Sequence, residues 1–243
     1  MKPQVGATGG RSNIAMENEA DWKKWFENYA QFILHHARLA EKYQIEALAI
    51  GTELYKTVHR TEDWENLIKK IRKVYPGKLT FAANWDKEFE AIEFWDSLDF
   101  IGVQAYFPLT DKESPAVSEL KKGWRPHLKK IEQIQQKYDR PIIFTELGYR
   151  STKDAAIDPW VWPESKISKA KIDIDMQTQA NAFQAFFEIF WDKPWFGGCY
   201  IWKWCANHEQ AGGPKDFTFT PQNKPAEKII KEWYSKIYPN NSS

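Results

Sequence analysis

The stretch Pro141-Ile142-Ile143-Phe144-Thr145-Glu146-Leu147-Gly148-Tyr149-Arg150 decides how this chain is read. A short β-branched and aromatic run ends in a carboxylate and then a glycine, the pattern of a buried strand that delivers an acid at its C-terminal end. Ala47-Leu48-Ala49-Ile50-Gly51-Thr52-Glu53-Leu54 has the same form. Working outward, helical spacing of apolar residues predicts a long helix from about Glu19 to Tyr43 and another from Thr61 to the Pro76-Gly77 break. A short helix is expected around Phe89 to Trp95, and longer ones through Leu120, Leu128, Ile131 and Ile134, from Asp175 to Trp191, and from Lys224 to Ile237. Between them lie six expected strands, beginning near Lys2, Ala47, Leu79, Phe100, Ile142 and Gly198. Residues 239–243 are expected to be a tail.

Strands that alternate with helices imply a parallel sheet, either closed into a barrel or open and doubly wound. No Gly-x-Gly-x-x-Gly or Gly-x-x-x-x-Gly-Lys loop follows any strand, so the nucleotide fingerprint of the open form is missing and a TIM-type barrel is the expectation. Strand alternation then predicts that Glu53 shares a face with Gly51 and Ala49, Glu146 with Phe144, and Tyr106 with Gln104 and Gly102. The polar member of each set lies at the C-terminal end, where a barrel carries its chemistry.

With 243 residues, 42% of them hydrophobic, the chain is read as one domain spanning 1–243. A formal net charge of +1, with no dense basic block, gives no footprint for nucleic acid. No apolar run approaches the roughly 20 residues of a membrane span, and the N-terminus lacks the basic-then-apolar order of a signal peptide. The two cysteines, Cys199 and Cys205, make neither a disulfide framework nor a zinc set, and read as small buried side chains. The histidines are adjacent (His35, His36) or scattered (His59, His127, His208), without ligand spacing, so no metal is expected. Most of the 13 Trp, 10 Tyr and 15 Phe, roughly two in three, are expected to pack in the core, and the remainder suits a cleft that stacks sugars.

Two strand-end glutamates in such a chain point to glycoside hydrolysis. A retaining glycosidase needs two carboxyl groups about 5–5.5 Å apart, one ionised to attack the anomeric carbon and one protonated to release the leaving oxygen. Either glutamate alone is equally well a strand-end residue paired with a basic side chain; two in matching positions favour the pair. Glu62, Glu65, Glu132 and Glu227 fall on helix faces and read as solvated.

Phe144-Thr145-Glu146-Leu147-Gly148-Tyr149-Arg150-Ser151, Ile50-Gly51-Thr52-Glu53-Leu54, Asp99-Phe100-Ile101-Gly102-Val103-Gln104-Ala105-Tyr106-Phe107-Pro108 and Gly198-Cys199-Tyr200-Ile201-Trp202-Lys203-Trp204 together resemble glycoside hydrolase family 113, known for β-1,4-mannanases. The resemblance implies Glu53 as acid/base and Glu146 as nucleophile. It also implies Tyr106 as a hydrogen-bond donor to the nucleophile and Trp202 as an aromatic platform for the sugar. Asn84, Trp85, Gln104 and Trp204 are further candidates for substrate contact, and no cofactor is required. One departure stands out: Thr52 precedes the acid/base where related enzymes commonly have Asn to bind the sugar 2-hydroxyl.

The resemblance makes the first expected strand the third of the family's barrel. It therefore implies six of eight strands, with two βα units, roughly 60–80 residues, lacking at the N-terminus. The substrate is expected to be a β-1,4-linked polysaccharide or oligosaccharide, β-mannan foremost. Glucan or xylan cleavage by the same mechanism is the alternative, as is a non-catalytic carbohydrate-binding barrel.

Overall fold

The computed structural model describes residues 1–162 and 172–236, so the expected tail at 239–243 lies outside the described residues. Strands β1 (Ala47–Thr52), β2 (Lys78–Ala83), β3 (Ile101–Gln104), β4 (Ile142–Leu147) and β5 (Phe196–Ile201) form one sheet in chain order. β1 pairs with β2, and β2 with β3, in parallel. Between and around them run α1 (Glu19–Lys42), α2 (Thr61–Arg72), the short α3 (Glu88–Ala91), α4 (Val117–Tyr138), α5 (Met176–Phe190) and α6 (Pro225–Tyr234). This is the α/β alternation of a TIM-type barrel, and β1 to β4 are buried on both faces, as parallel strands covered by helices must be.

The described strands number five, not six. Residues near Lys2 run beside β1 without becoming a strand: the Ala49 N–H donates to the Met1 carbonyl (2.9 Å) and the Thr52 hydroxyl to the Pro3 carbonyl (3.3 Å). Pro3 has no N–H to return, so no ladder develops. The strand expected from Gly198 is β5, which begins at Phe196 and stops at Ile201, leaving Trp202 and Trp204 beyond it.

The helix ends follow local chemistry. The Asn18 side chain accepts the Asp21 N–H at the start of α1, and Asp175 Oδ1 accepts those of Gln177 and Thr178 at the start of α5. Pro225 occupies the first turn of α6, where its missing N–H costs nothing.

The chain packs as two compact units, residues 1–104 with 133–145, and residues 105–132 with those from 146 on. In the first, Trp64 is fully buried amid Phe26, Tyr29, Phe81 and Phe94, its indole N–H donating to the Thr57 carbonyl (3.1 Å). Tyr29 leaves this cluster to donate to the Ile50 carbonyl (2.8 Å), which ties α1 to the end of β1. In the second, Trp124 packs on Phe107, Phe186 and Phe190. These aromatic side chains are therefore core. Cys199 is buried and Cys205 half-buried, and both thiols are free.

Candidate active site

In the first unit, β1 delivers Glu53 by breaking its own regularity. The β1–β2 register runs Ala49 to Thr80 and then Thr52 to Ala82, so β1 carries one extra residue in between. The strict alternation expected for Ala49, Gly51 and Glu53 therefore does not carry through: a bulge re-aims the strand end. Glu53 itself has a left-handed backbone, φ 52°, a conformation costly for a side chain of this kind and found where the surroundings enforce it. Its N–H donates to the Ala82 carbonyl (3.1 Å), and its Oε2 lies 3.6 Å from Arg11 Nε.

Two neighbours of Glu53 carried no distinguishing sequence signal. Arg11 follows the Gly9-Gly10 turn as one basic residue among many. Glu88 reads as one acid of a charged helix, yet none of it is exposed. Glu88 Oε2 accepts the Asn84 N–H (2.7 Å). Burial pushes its pKa up to about 8, with the Asn84 bond opposing and the charge of Glu53 adding to the rise. Asn84 and Trp85 are half-buried just past β2, whereas Gln104 is only 1% exposed. Thr52 is buried too, and its hydroxyl is already occupied by Pro3.

In the second unit, Glu146 is buried at the end of β4, and the Tyr106 hydroxyl donates to its Oε2 at 2.7 Å. The Ala105 N–H donates to the Glu146 carbonyl (2.7 Å), which sets the register that brings phenol and carboxylate together. Beyond Glu146, the Trp202 N–H donates to the Leu147 carbonyl (2.8 Å). A Cβ on Gly148 would stand 2.1 Å from the Trp202 carbonyl, so only glycine lets that backbone approach. The Trp202–Lys203 peptide is cis.

Trp202 is half-buried, and its ring meets that of Trp162 edge-on at 6.1 Å; Trp162 in turn meets Phe219 at 6.0 Å, and Phe219 meets Tyr106 at 6.3 Å. Trp162, 52% exposed, and Phe219 thus belong to the surroundings of the carboxylate, although neither stands in a motif that marks it in the sequence. Trp204 lines a cavity of about 630 Å³ with Pro214, Asn223, Pro225 and Lys228. His208 pairs with Glu227, whose other oxygen accepts the Asn223 N–H; Glu227 is a turn clamp rather than a merely solvated group. Among the described residues no group of His, Cys, Asp and Glu is arranged to hold a metal, and no helix is long and apolar enough to cross a membrane.

The sequence model of Glycoside Hydrolase Family 113 matches residues 5–235. The chain belongs to glycoside hydrolase family 113. Among solved structures, this family 113 member is similar to a GH113 β-1,4-mannanase, with 30% identity and a TM-score of 0.80 over 96% of this chain and 72% of that one. It is also similar to the GH113 β-mannanase AaManA from Alicyclobacillus acidocaldarius in complex with ManMIm, with 25% identity and a TM-score of 0.77 over 93% and 68% of the two chains. A β-glucuronidase from Ruminococcus gnavus, 14% identical with a TM-score of 0.53 over 77% of this chain and 32% of that one, shares the fold alone. No curated protein shows a significant sequence match. As a family 113 member the chain is a glycoside hydrolase of TIM-barrel type, and its substrate is a carbohydrate.

Proposed function

We propose that this glycoside hydrolase cleaves β-1,4-mannan or its oligosaccharides with retention, Glu146 acting as nucleophile and Glu53 as acid/base. The observation that carries the assignment is the buried 2.7 Å hydrogen bond from Tyr106 to Glu146, because a phenol donor stabilises the ionised carboxylate that a nucleophile must be. The left-handed backbone of Glu53 supports its role, since strain at a strand end is characteristic of functional positions. Mannan is favoured because similar family 113 structures are β-mannanases.

In this mechanism Glu146 attacks the anomeric carbon as Glu53 protonates the departing glycosidic oxygen, giving a glycosyl-enzyme ester and a shortened chain. Glu53, now a carboxylate, takes a proton from water, which attacks the same carbon and frees Glu146. Trp202, with Trp162 beside it, offers an aromatic face to the apolar side of the sugar. The hydroxyl of Thr52 gives its hydrogen to the Pro3 carbonyl, so it does not donate to the sugar 2-hydroxyl.

The test is anion rescue. Glu146→Ala and Glu53→Ala each lower turnover by several orders of magnitude, and azide restores part of it. The Glu146 variant yields the inverted glycosyl azide and the Glu53 variant the retained one. Near-normal turnover in either variant sinks the assignment. Product analysis on mannan, glucan and xylan decides the sugar.

A further inference from the structure

We propose that Glu88 is a positioning residue for Glu53: a carboxyl, buried behind the turn that follows β1, that holds the left-handed conformation from which Glu53 acts. The proposal rests on the reading of Glu53 as acid/base.

Glu88 sits at the start of α3, directly after Lys87, another residue with left-handed backbone (φ 62°). That turn brings its carboxyl under the ends of two strands. Oε2 accepts the N–H of Asn84, the first residue beyond β2, and the backbone N–H of Leu54, the residue after Glu53, is also directed at this carboxyl. Leu54 is itself fully buried, so the turn cannot relax toward solvent. The strand ends are also joined directly by the Glu53 N–H to the Ala82 carbonyl. Glu88 is therefore the side chain that backs the short path from Ala82 to Leu54.

Its charge state follows from what surrounds it. The charged group acting on it is Glu53, a like charge, and Arg11 lies on Glu53 rather than on Glu88. Burial raises the Glu88 pKa to about 8, so the carboxyl holds its proton at neutral pH. Glu88 Oε1 and Asn84 Oδ1 are both buried without a hydrogen-bond partner among the described residues. A protonated carboxyl brings one O–H donor to a place where a carboxylate would bring only acceptors.

The experiment is a double-mutant cycle on the full chain with a manno-oligosaccharide, with Glu88→Ala and Glu88→Gln each made alone and in the Glu53→Ala background. Glu88→Ala is expected to lower kcat about 10- to 100-fold with KM nearly unchanged, since misplacing a catalytic group by a fraction of an ångström costs that much. Glu88→Gln, neutral and able to accept the Asn84 N–H, recovers most of the loss. In the Glu53→Ala background Glu88→Ala changes the residual turnover by less than about twofold. Equal losses in both backgrounds, or a Gln variant as impaired as the Ala variant, overturn the proposal.

Carbon-13 NMR of the Glu88 carboxyl, assigned by its loss in Glu88→Gln, serves if Glu88→Ala does not fold. A titration near 8 is expected, and one in the ordinary carboxylate range overturns the proposal. Full turnover in Glu53→Ala alone sinks the acid/base reading, a failure the cycle separates from any failure of Glu88.

Discussion

Tyr106 and Glu146 lie 40 residues apart in sequence, and their side chains meet through a 2.7 Å hydrogen bond in which both partners are buried. Hydrogen bonds to charged groups contribute about 1.5–3 kcal/mol. Tyr106→Phe removes only the donor and leaves the ring against Phe219, so kcat is expected to fall roughly 10- to 100-fold with the melting temperature nearly unchanged. Steady-state kinetics beside a thermal melt check this; unchanged kcat would remove the main support for Glu146 as nucleophile.

Trp202→Ala should raise KM and lower kcat without abolishing turnover, because stacking holds the sugar but neither makes nor breaks bonds. Trp162 touches Trp202 edge-on and is the more exposed of the two, so Trp162→Ala should act in the same direction and more weakly. Loss of the folding transition in Trp202→Ala would assign that ring to the core instead.

Thr52 offers a cleaner separation of structure from catalysis. Its hydroxyl is bonded to the Pro3 carbonyl and its side chain is buried, so Thr52→Val should cost about 1 kcal/mol of stability and change kcat/KM by less than about threefold. A much larger kinetic loss at unchanged stability would mean that Thr52 does contact the substrate.

Glu88 predicts a pH dependence of stability. Its folded-state pKa of about 8 lies above the ordinary carboxylate value, so between the two the folded chain holds a proton that the unfolded chain releases. The contribution is fully present below the unfolded pKa and is lost as pH rises through the folded one, on the order of a few kcal/mol in all. The melting temperature of the wild-type chain should therefore fall between about pH 5 and 8 relative to Glu88→Gln, in which the slope disappears. Parallel curves for the two proteins would show that Glu88 ionises normally.

The sequence by itself determined the parts of this protein that depend on local pattern. Apolar runs closed by Glu53 and Glu146 were legible because a strand buried on both faces must be continuously apolar, so a carboxylate marks its end. The helices were legible from their spacing, and the absence of a phosphate-binding glycine loop distinguished a barrel from an open sheet. Tyr106 and Trp202 required more, a resemblance over four motifs in order, because a lone tyrosine or tryptophan after a strand carries no local signal.

What only the tertiary structure decided depends on which groups share a dry space. Glu88 has the sequence of a surface acid, and its burial comes from a left-handed Lys87 that turns α3 back under two strand ends. Arg11 reaches Glu53 from more than forty residues away, and Trp162 and Phe219 reach Trp202 and Tyr106 from separate loops. The bulge before Glu53 and the failure of the Lys2 segment to become a strand come from pairing between segments, where register and a missing proline N–H prevail over propensity. Burial and partnership are properties of the assembled chain, and they set the charge of Glu88 and the hydrogen bond on Glu146.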